Sequence, residues 1–197
     1  ELSDGNARYV AAVAARSGRI FAVPCHARRA LEVDPLAGRV REFGQEFPYG
    51  GLKYQAAVLG AGGKIYGVPF NARRFLEIDP VAGSACEIGP ELPNGGFKYM
   101  SGVKALNDKI YAIPFDAKRV LEFDPVKGAT RELGPEFAEG GAKYATAVLA
   151  ANGCIYALPC GARRVLKVIP STGDAREVGP DLGAGGFFYQ EAVVAGG

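Results

Sequence analysis

Side chains equipped for chemistry are few in this sequence. His26 is the one histidine and follows Cys25; the other cysteines are Cys86, Cys154 and Cys160. The four thiols form no C-x-x-C pair, and with a single imidazole they give no tetrahedral ligand spacing. Neither a metal nor another cofactor is assigned. A nucleophile elbow of the G-x-S-x-G type is absent, and Gly60-Ala61-Gly62-Gly63-Lys64 has neither the third glycine of a dinucleotide loop nor the spacing of a P-loop. Acid–base chemistry is equally thin. Glu32, Glu77 and Glu122 lie 45 residues apart, but the next copy is Lys167, which breaks any ring of equivalent carboxylates. Asp34, Asp79 and Asp124 each precede a proline, where hydrogen bonding to the following turn accounts for them. No residue is assigned a catalytic role, and the chain reads as a non-catalytic protein.

Cations carry the stronger pattern. Arg28-Arg29, Arg73-Arg74, Lys118-Arg119 and Arg163-Arg164 recur at the same interval, as do Lys53, Lys98 and Lys143. Against them stand Glu46, Glu91, Glu136 and Asp181. On one reading each pair closes ion pairs with the carboxylate of its own or the adjacent repeat, since guanidinium forks fit carboxylates. On the other, the surplus charge docks an acidic protein surface, an anionic ligand or a larger assembly, and the paired cations are the partner-binding residues. A second candidate lies just after each recurring proline. Cys25-His26, Phe70-Asn71, Phe115-Asp116 and Cys160-Gly161 differ where their surroundings repeat. His26, Asn71 and Asp116 are therefore the candidate lining of an axial pocket for a small molecule or carbohydrate. The plainer account is that they fill loop space.

The elements that must position these residues follow from an internal repeat. Tyr9, Tyr54, Tyr99, Tyr144 and Tyr189 are spaced by 45 residues, as are Pro24, Pro69, Pro114 and Pro159. Each unit holds four short apolar runs, as in Tyr99 to Val103, Ile110 to Pro114, Val120 to Asp124 and Thr130 to Leu133. Four β-like runs in a 45-residue period, separated by glycine-rich turns, predict a propeller blade rather than a helical repeat. Asp34-Pro35-Leu36-Ala37-Gly38 and its copies at Asp79 and Asp124 predict type I turns closed by a left-handed glycine between the third and fourth strands. The copy at Ile169-Pro170-Ser171-Thr172-Gly173 has lost its aspartate. Ser17-Gly18, Gly62-Gly63, Asn107-Asp108 and Asn152-Gly153 suit the tight hairpins between the first and second strands. Alternation puts Leu121 and Phe123 on one face and Glu122 on the other, so the third strand is expected to be half buried. The second strand is apolar on both faces, is expected to lie between neighbouring sheets, and should end at its proline. Strand parity sends the links after strands two and four to one end of the sheet, where the cations collect, Lys53, Lys98 and Lys143 among them.

The unit from Gly63 to Gly83, of the form G-K-I-Y-x-x-P-x-x-A-R-R-x-L-E-x-D-P-x-x-G, resembles the repeats of kelch-like and NHL-like β-propellers. Gly50-Gly51, Gly95-Gly96, Gly140-Gly141 and Gly185-Gly186 are similar to the kelch double glycine, although the chain has no tryptophan. The resemblance implies an all-β propeller and leaves activity open, because such propellers host binding scaffolds, lectins, hydrolases and lyases. The expected organisation is one domain, 1–197, of about four blades of four antiparallel strands. Its repeats are 9–53, 54–98, 99–143 and 144–188, with a closing strand at 189–195. The alternative is a segment of a larger ring.

Composition agrees and excludes other classes. The 197 residues are 48% hydrophobic and 22% charged, enough for a sizeable core, and 28 glycines with 13 prolines suit an all-β chain with many turns. A formal charge of +2 provides no global basic field for nucleic acid, and no apolar run is long enough to span a bilayer. Residue 1 is Glu and no leader pattern follows, so the chain is expected to be a processed or excised piece of a longer protein. No compartment is assigned. The functional expectation is a protein-binding or scaffold propeller acting through its basic loop face. A small-molecule or carbohydrate binder is the alternative, and a propeller hydrolase or lyase stands third.

Overall fold

The computed structural model describes residues 7–47, 50–137 and 140–183. Among them lie four antiparallel sheets, each with its strands side by side in chain order. The first holds β1 (Tyr9–Ala14), β2 (Ile20–Pro24), β3 (Ala30–Asp34) and β4 (Arg39–Phe43). The second holds β5 (Tyr54–Leu59), β6 (Ile65–Pro69), β7 (Phe75–Asp79) and β8 (Ser84–Ile88). The third holds β9 (Tyr99–Lys104), β10 (Ile110–Pro114), β11 (Val120–Asp124) and β12 (Ala129–Leu133). The fourth holds β13 (Tyr144–Leu149), β14 (Ile155–Pro159), β15 (Val165–Ile169) and β16 (Asp174–Val178). The fold is an all-β propeller. The run 189–195 and the glycines Gly185-Gly186 lie outside the described residues.

The turns form for the reasons their residues supply. Asp34 Oδ1 accepts the Leu36 and Ala37 amides, Asp79 Oδ1 those of Val81 and Ala82, and Asp124 Oδ1 those of Val126 and Lys127. Gly38, Gly83, Gly128 and Gly173 close them at φ of 60–76°. In the last copy Thr172 replaces the aspartate's work: its Oγ1 donates to the Ile169 carbonyl and accepts the Asp174 amide. The first hairpins turn on Gly18, Gly62-Gly63, Gly153 and, unusually for a residue with a Cβ, Asp108 at φ 61°. Every second strand ends on its proline, as the missing N–H requires.

The chain divides into two compact units, Glu1–Asn94 and Gly95–Gly197. In the first unit Phe21, Val23, Ala30 and Phe43 of one sheet face pack on Tyr54, Ile65, Leu76, Ile78 and Ala85 of the next sheet. Phe47, just beyond β4, meets Tyr54 edge-on with ring centroids 6.3 Å apart. The second unit repeats this arrangement. Tyr111, Ile113, Val120 and Leu133 pack on Ile155, Leu166, Val168 and Ala175, and Phe137 meets Tyr144 edge-on at 6.2 Å. Backbones touch where the sheets converge. A Cβ on Gly44 would lie 2.4 Å from Ala85 Cβ, and one on Gly134 2.4 Å from the Ala175 carbonyl oxygen.

One strand departs from its expected burial. β11 is buried on both faces, not one, because Glu122 is satisfied in place: it accepts from Lys109 Nζ at 2.8 Å, Tyr111 Oη at 2.8 Å and Arg131 Nη2 at 3.2 Å. A carboxylate with three donors tolerates removal from water.

Candidate functional site

The loop-rich end of each sheet is built from one local design. After the proline of the second strand, the chain folds back so that alternate amides reach the carbonyl of the residue before the first strand. Phe70 and Ala72 donate to Lys53 O, Phe115 and Ala117 to Lys98 O, and Cys160 and Ala162 to Lys143 O. In the first sheet Cys25, His26 and Ala27 donate to Arg8 O. The cation pair comes next, and its two members divide the work.

The second member is structural. Arg29, Arg74, Arg119 and Arg164 each donate to the carbonyl of a glycine 15 residues on: Gly44, Gly89, Gly134 and Gly179, at 3.4, 2.6, 2.7 and 3.2 Å. Those glycines hold φ of 73–81°, a turn that leaves the carbonyl free to accept. The first member faces water. Arg28 meets Glu46 at 3.0 Å, Arg73 meets Glu91 at 2.8 Å, Lys118 meets Glu136 at 3.5 Å and Arg163 meets Asp181 at 2.8 Å. These side chains stay open, Arg28 at 68% exposure and Lys118 at 65%. The Gly183 amide, then Arg163, hold the Asp181 carboxyl below its ordinary range. Ion pairing within the repeat thus accounts for the first member of every pair. In the first and third sheets the second member reaches the same carboxylate as well, Arg29 meeting Glu46 at 3.4 Å and Arg119 meeting Glu136 at 3.9 Å.

Three expected members of this surface are not on it. Lys53, Lys98 and Lys143 are buried, Lys53 to 2% exposure. Their ammonium groups turn inward to Gly50 O at 3.4 Å, Gly95 O at 2.7 Å and Gly140 O at 2.8 Å. Burial pushes the Lys53 and Lys143 ammonium groups below their ordinary range, against the pull of Cys25 and Asp116 respectively. The reason is the double-glycine loop. It brings the next residue, Leu52, Phe97 or Ala142, to φ of 56–59°, which turns the lysine away from solvent. The signal was present in the sequence: at the same position of the next repeat stands Phe188.

The candidate pocket residues are placed by the same loops. His26 Nδ1 lies 3.0 Å from Ala7 O and 3.4 Å from Cys25 Sγ. Its ring covers Gly51, where a Cβ would come within 2.0 Å of it. Asn71 Nδ2 donates to Gly51 O at 3.0 Å, so His26 and Asn71 meet at one glycine. Asp116 occupies the corresponding place in the second unit, with Oδ1 accepting the Ala142 amide at 2.8 Å and lying close over Gly141. At the opposite end of the first sheet, a cleft of about 290 Å³ is lined by Arg19, Glu32, Asp34, Arg39 and Arg41. Two of its arginines are engaged there: Arg19 and Arg41 both bond Glu32. Where Glu32 has its fourth counterpart, Lys167 lies over the Tyr156 ring at 5.9 Å. Among the described residues no group of three or more His, Cys, Asp or Glu is arranged to hold a metal ion, and all four cysteines are free.

No protein-family model and no curated protein matches the chain. Solved structures do. A catalytically inactive variant of virginiamycin B lyase from Staphylococcus aureus, solved with quinupristin, matches with a TM-score of 0.71 at 18% identity, over 89% of this chain and 57% of that one. The extracellular domain of a putative one-component system from Bacteroides thetaiotaomicron matches at 0.64 and 15% identity, over 90% of this chain and 23% of that one. An auxiliary nutrient binding protein from the same species matches at 0.59 and 11%, over 90% and 43%. The chain spans little more than half the length of the lyase. At these identities the likeness shows the propeller fold.

Proposed function

We propose that this chain is a non-catalytic binding module, one propeller domain built from the repeats 9–53, 54–98, 99–143 and 144–188 with the run 189–195, and that its loop face receives an acidic protein surface. The double-glycine loops and the 45-residue period support a place among kelch-like and NHL-like propellers. The observation that carries the reading is the division within each cation pair. Arg28, Arg73, Lys118 and Arg163 are exposed, held only by a carboxylate that is itself open to water, and repeated once per sheet. Exposed pairs of this kind contribute only about 0–1 kcal/mol each, so an incoming carboxylate competes with the resident one at little cost. Reversal of Arg28 and Arg73 to glutamate tests it. Binding of a fluorescent poly-glutamate peptide to the wild type is expected to weaken at least tenfold in the double variant and to fall with added salt, with the melting temperature unchanged. Equal binding by both proteins overturns the reading.

A second reading is favoured by the meeting of His26 and Asn71 at Gly51, since two side chains that break the repeat share one spot. On it the loops receive a small molecule. The solved relatives that bind nutrient or hold quinupristin support it by analogy of fold alone. A lyase activity stands behind both.

A further inference from the structure

The cleft at the turn end of the first sheet departs from the repeat. β3 sets Glu32 and Asp34 on one face, and β4 places Arg41 directly opposite the first and Arg39 opposite the second. Arg19, one residue ahead of β2, joins them in lining the cleft. At the three arginine positions the second sheet has Lys64, Ser84 and Cys86, the third Lys109, Ala129 and Arg131, and the fourth Cys154, Asp174 and Arg176. Three arginines around two carboxylates therefore occur in the first sheet alone among the four. A hydroxyl is missing there too. Tyr66 and Tyr111 donate to the glutamates of their own sheets, at 3.1 and 2.8 Å, whereas Phe21 stands opposite Glu32.

We propose that this cleft binds a small phosphate-bearing molecule, at a site separate from the loop face and independent of the function proposed for that face. The two carboxylates are its frame. Glu32 is buried; its Oε1 accepts from Arg19 Nη1 at 3.1 Å and its Oε2 from Arg41 Nε at 2.7 Å and Nη2 at 2.5 Å. Asp34 Oδ1 is taken by the turn amides of Leu36 and Ala37, and its Oδ2 lies 3.6 Å from Arg19 Nε. Both acids are thus occupied, while Arg19 and Arg41 each keep N–H groups that no carboxylate takes. Arg39 is exposed and bonds no carboxylate among the described residues. Because Glu32 already fixes Arg19 and Arg41, neither loses much freedom when a ligand arrives. The choice of anion follows from its oxygens. A phosphate presents three acceptors, so three guanidiniums can share one group, whereas a carboxylate is satisfied by a single fork. The volume of about 290 Å³ is many times the roughly 30 Å³ that one water occupies in the liquid, which leaves room for the group that carries the phosphate.

The test is titration calorimetry with inorganic phosphate near neutral pH, with chloride holding the ionic strength constant and acetate as the competing probe. Wild type is expected to bind phosphate saturably, with a dissociation constant of about 1 mM or tighter, and acetate at least roughly tenfold more weakly. Arg39→Ala introduces the residue that the third sheet carries at this position, and Arg39→Ser the residue of the second. Both are expected to keep the melting curve of the unliganded protein and to lose roughly tenfold or more in phosphate affinity. The Arg28→Glu, Arg73→Glu double variant is expected to bind phosphate as wild type does, which separates this site from the loop face. A wild type that takes up no phosphate overturns the inference. So do Arg39 variants with wild-type affinity, acetate bound as tightly as phosphate, or a loss of phosphate binding in the loop-face variant, which would put the anion at the other end of the sheet.

Discussion

At the level of single residues, the most informative group is Glu122. Burial pushes its carboxyl up, but hydrogen bonds from Lys109, Tyr111 and Arg131 outweigh this and hold it below its ordinary value of 4.5. Tyr111, in turn, is pushed up to about 12, first by burial and then by this carboxylate. A depressed carboxyl contributes stability that is present above its unfolded value and lost as pH falls through the folded one. Urea denaturation of Glu122→Gln at pH 7 is therefore expected to show a loss of about 3 kcal/mol, since three donors lose their anion. The gap to wild type should narrow as pH falls below 4.5 toward 3. Equal stabilities at pH 7 would mean the network contributes nothing. The buried lysines teach a complementary lesson. A cation beside a glycine pair looks like a surface residue, and only Phe188 at the same repeat position betrays the apolar surroundings.

At the level of elements, the glycines separate two kinds of constraint. Gly18 and Gly44 both hold φ of 80°, but nothing lies near a Cβ on Gly18, whereas one on Gly44 would collide with Ala85. Gly18→Ala is expected to cost about 1–2 kcal/mol, the strain of a left-handed residue alone. Gly44→Ala should cost at least about 3 kcal/mol, strain and overpacking together, as read from denaturant midpoints. Equal costs would argue against a close backbone approach. Strands, turns and their order were legible from the sequence because each rests on local chemistry: a proline without an N–H, an aspartate that caps its own turn, alternation along a strand. Arg28 and Arg29 were not separable in that way. Which of two adjacent arginines bonds Gly44 and which meets water depends on a loop 15 to 18 residues away. Likewise, Glu122 reads as a solvent-facing residue until the side chains of two neighbouring strands are placed around it.

At the level of the whole molecule, stability rests on apolar faces rather than covalent ties. Cys25 and Cys160 are buried, burial pushes both thiols up, and no cysteine is bridged. Melting with and without dithiothreitol is expected to give one curve, and a fall of several degrees under reduction would contradict free thiols. The main chain of the buried lysines adds a further tie within each unit. Lys53 donates its amide to Cys25 O of the first sheet and accepts from Phe70 of the second; Lys143 joins Phe115 of the third to Cys160 of the fourth in the same manner. A residue that serves two sheets at once cannot be released by one without loosening the other. Fraying that starts at one sheet therefore removes a neighbour's partners, and melting spreads across the pair as a single event rather than stopping at the seam.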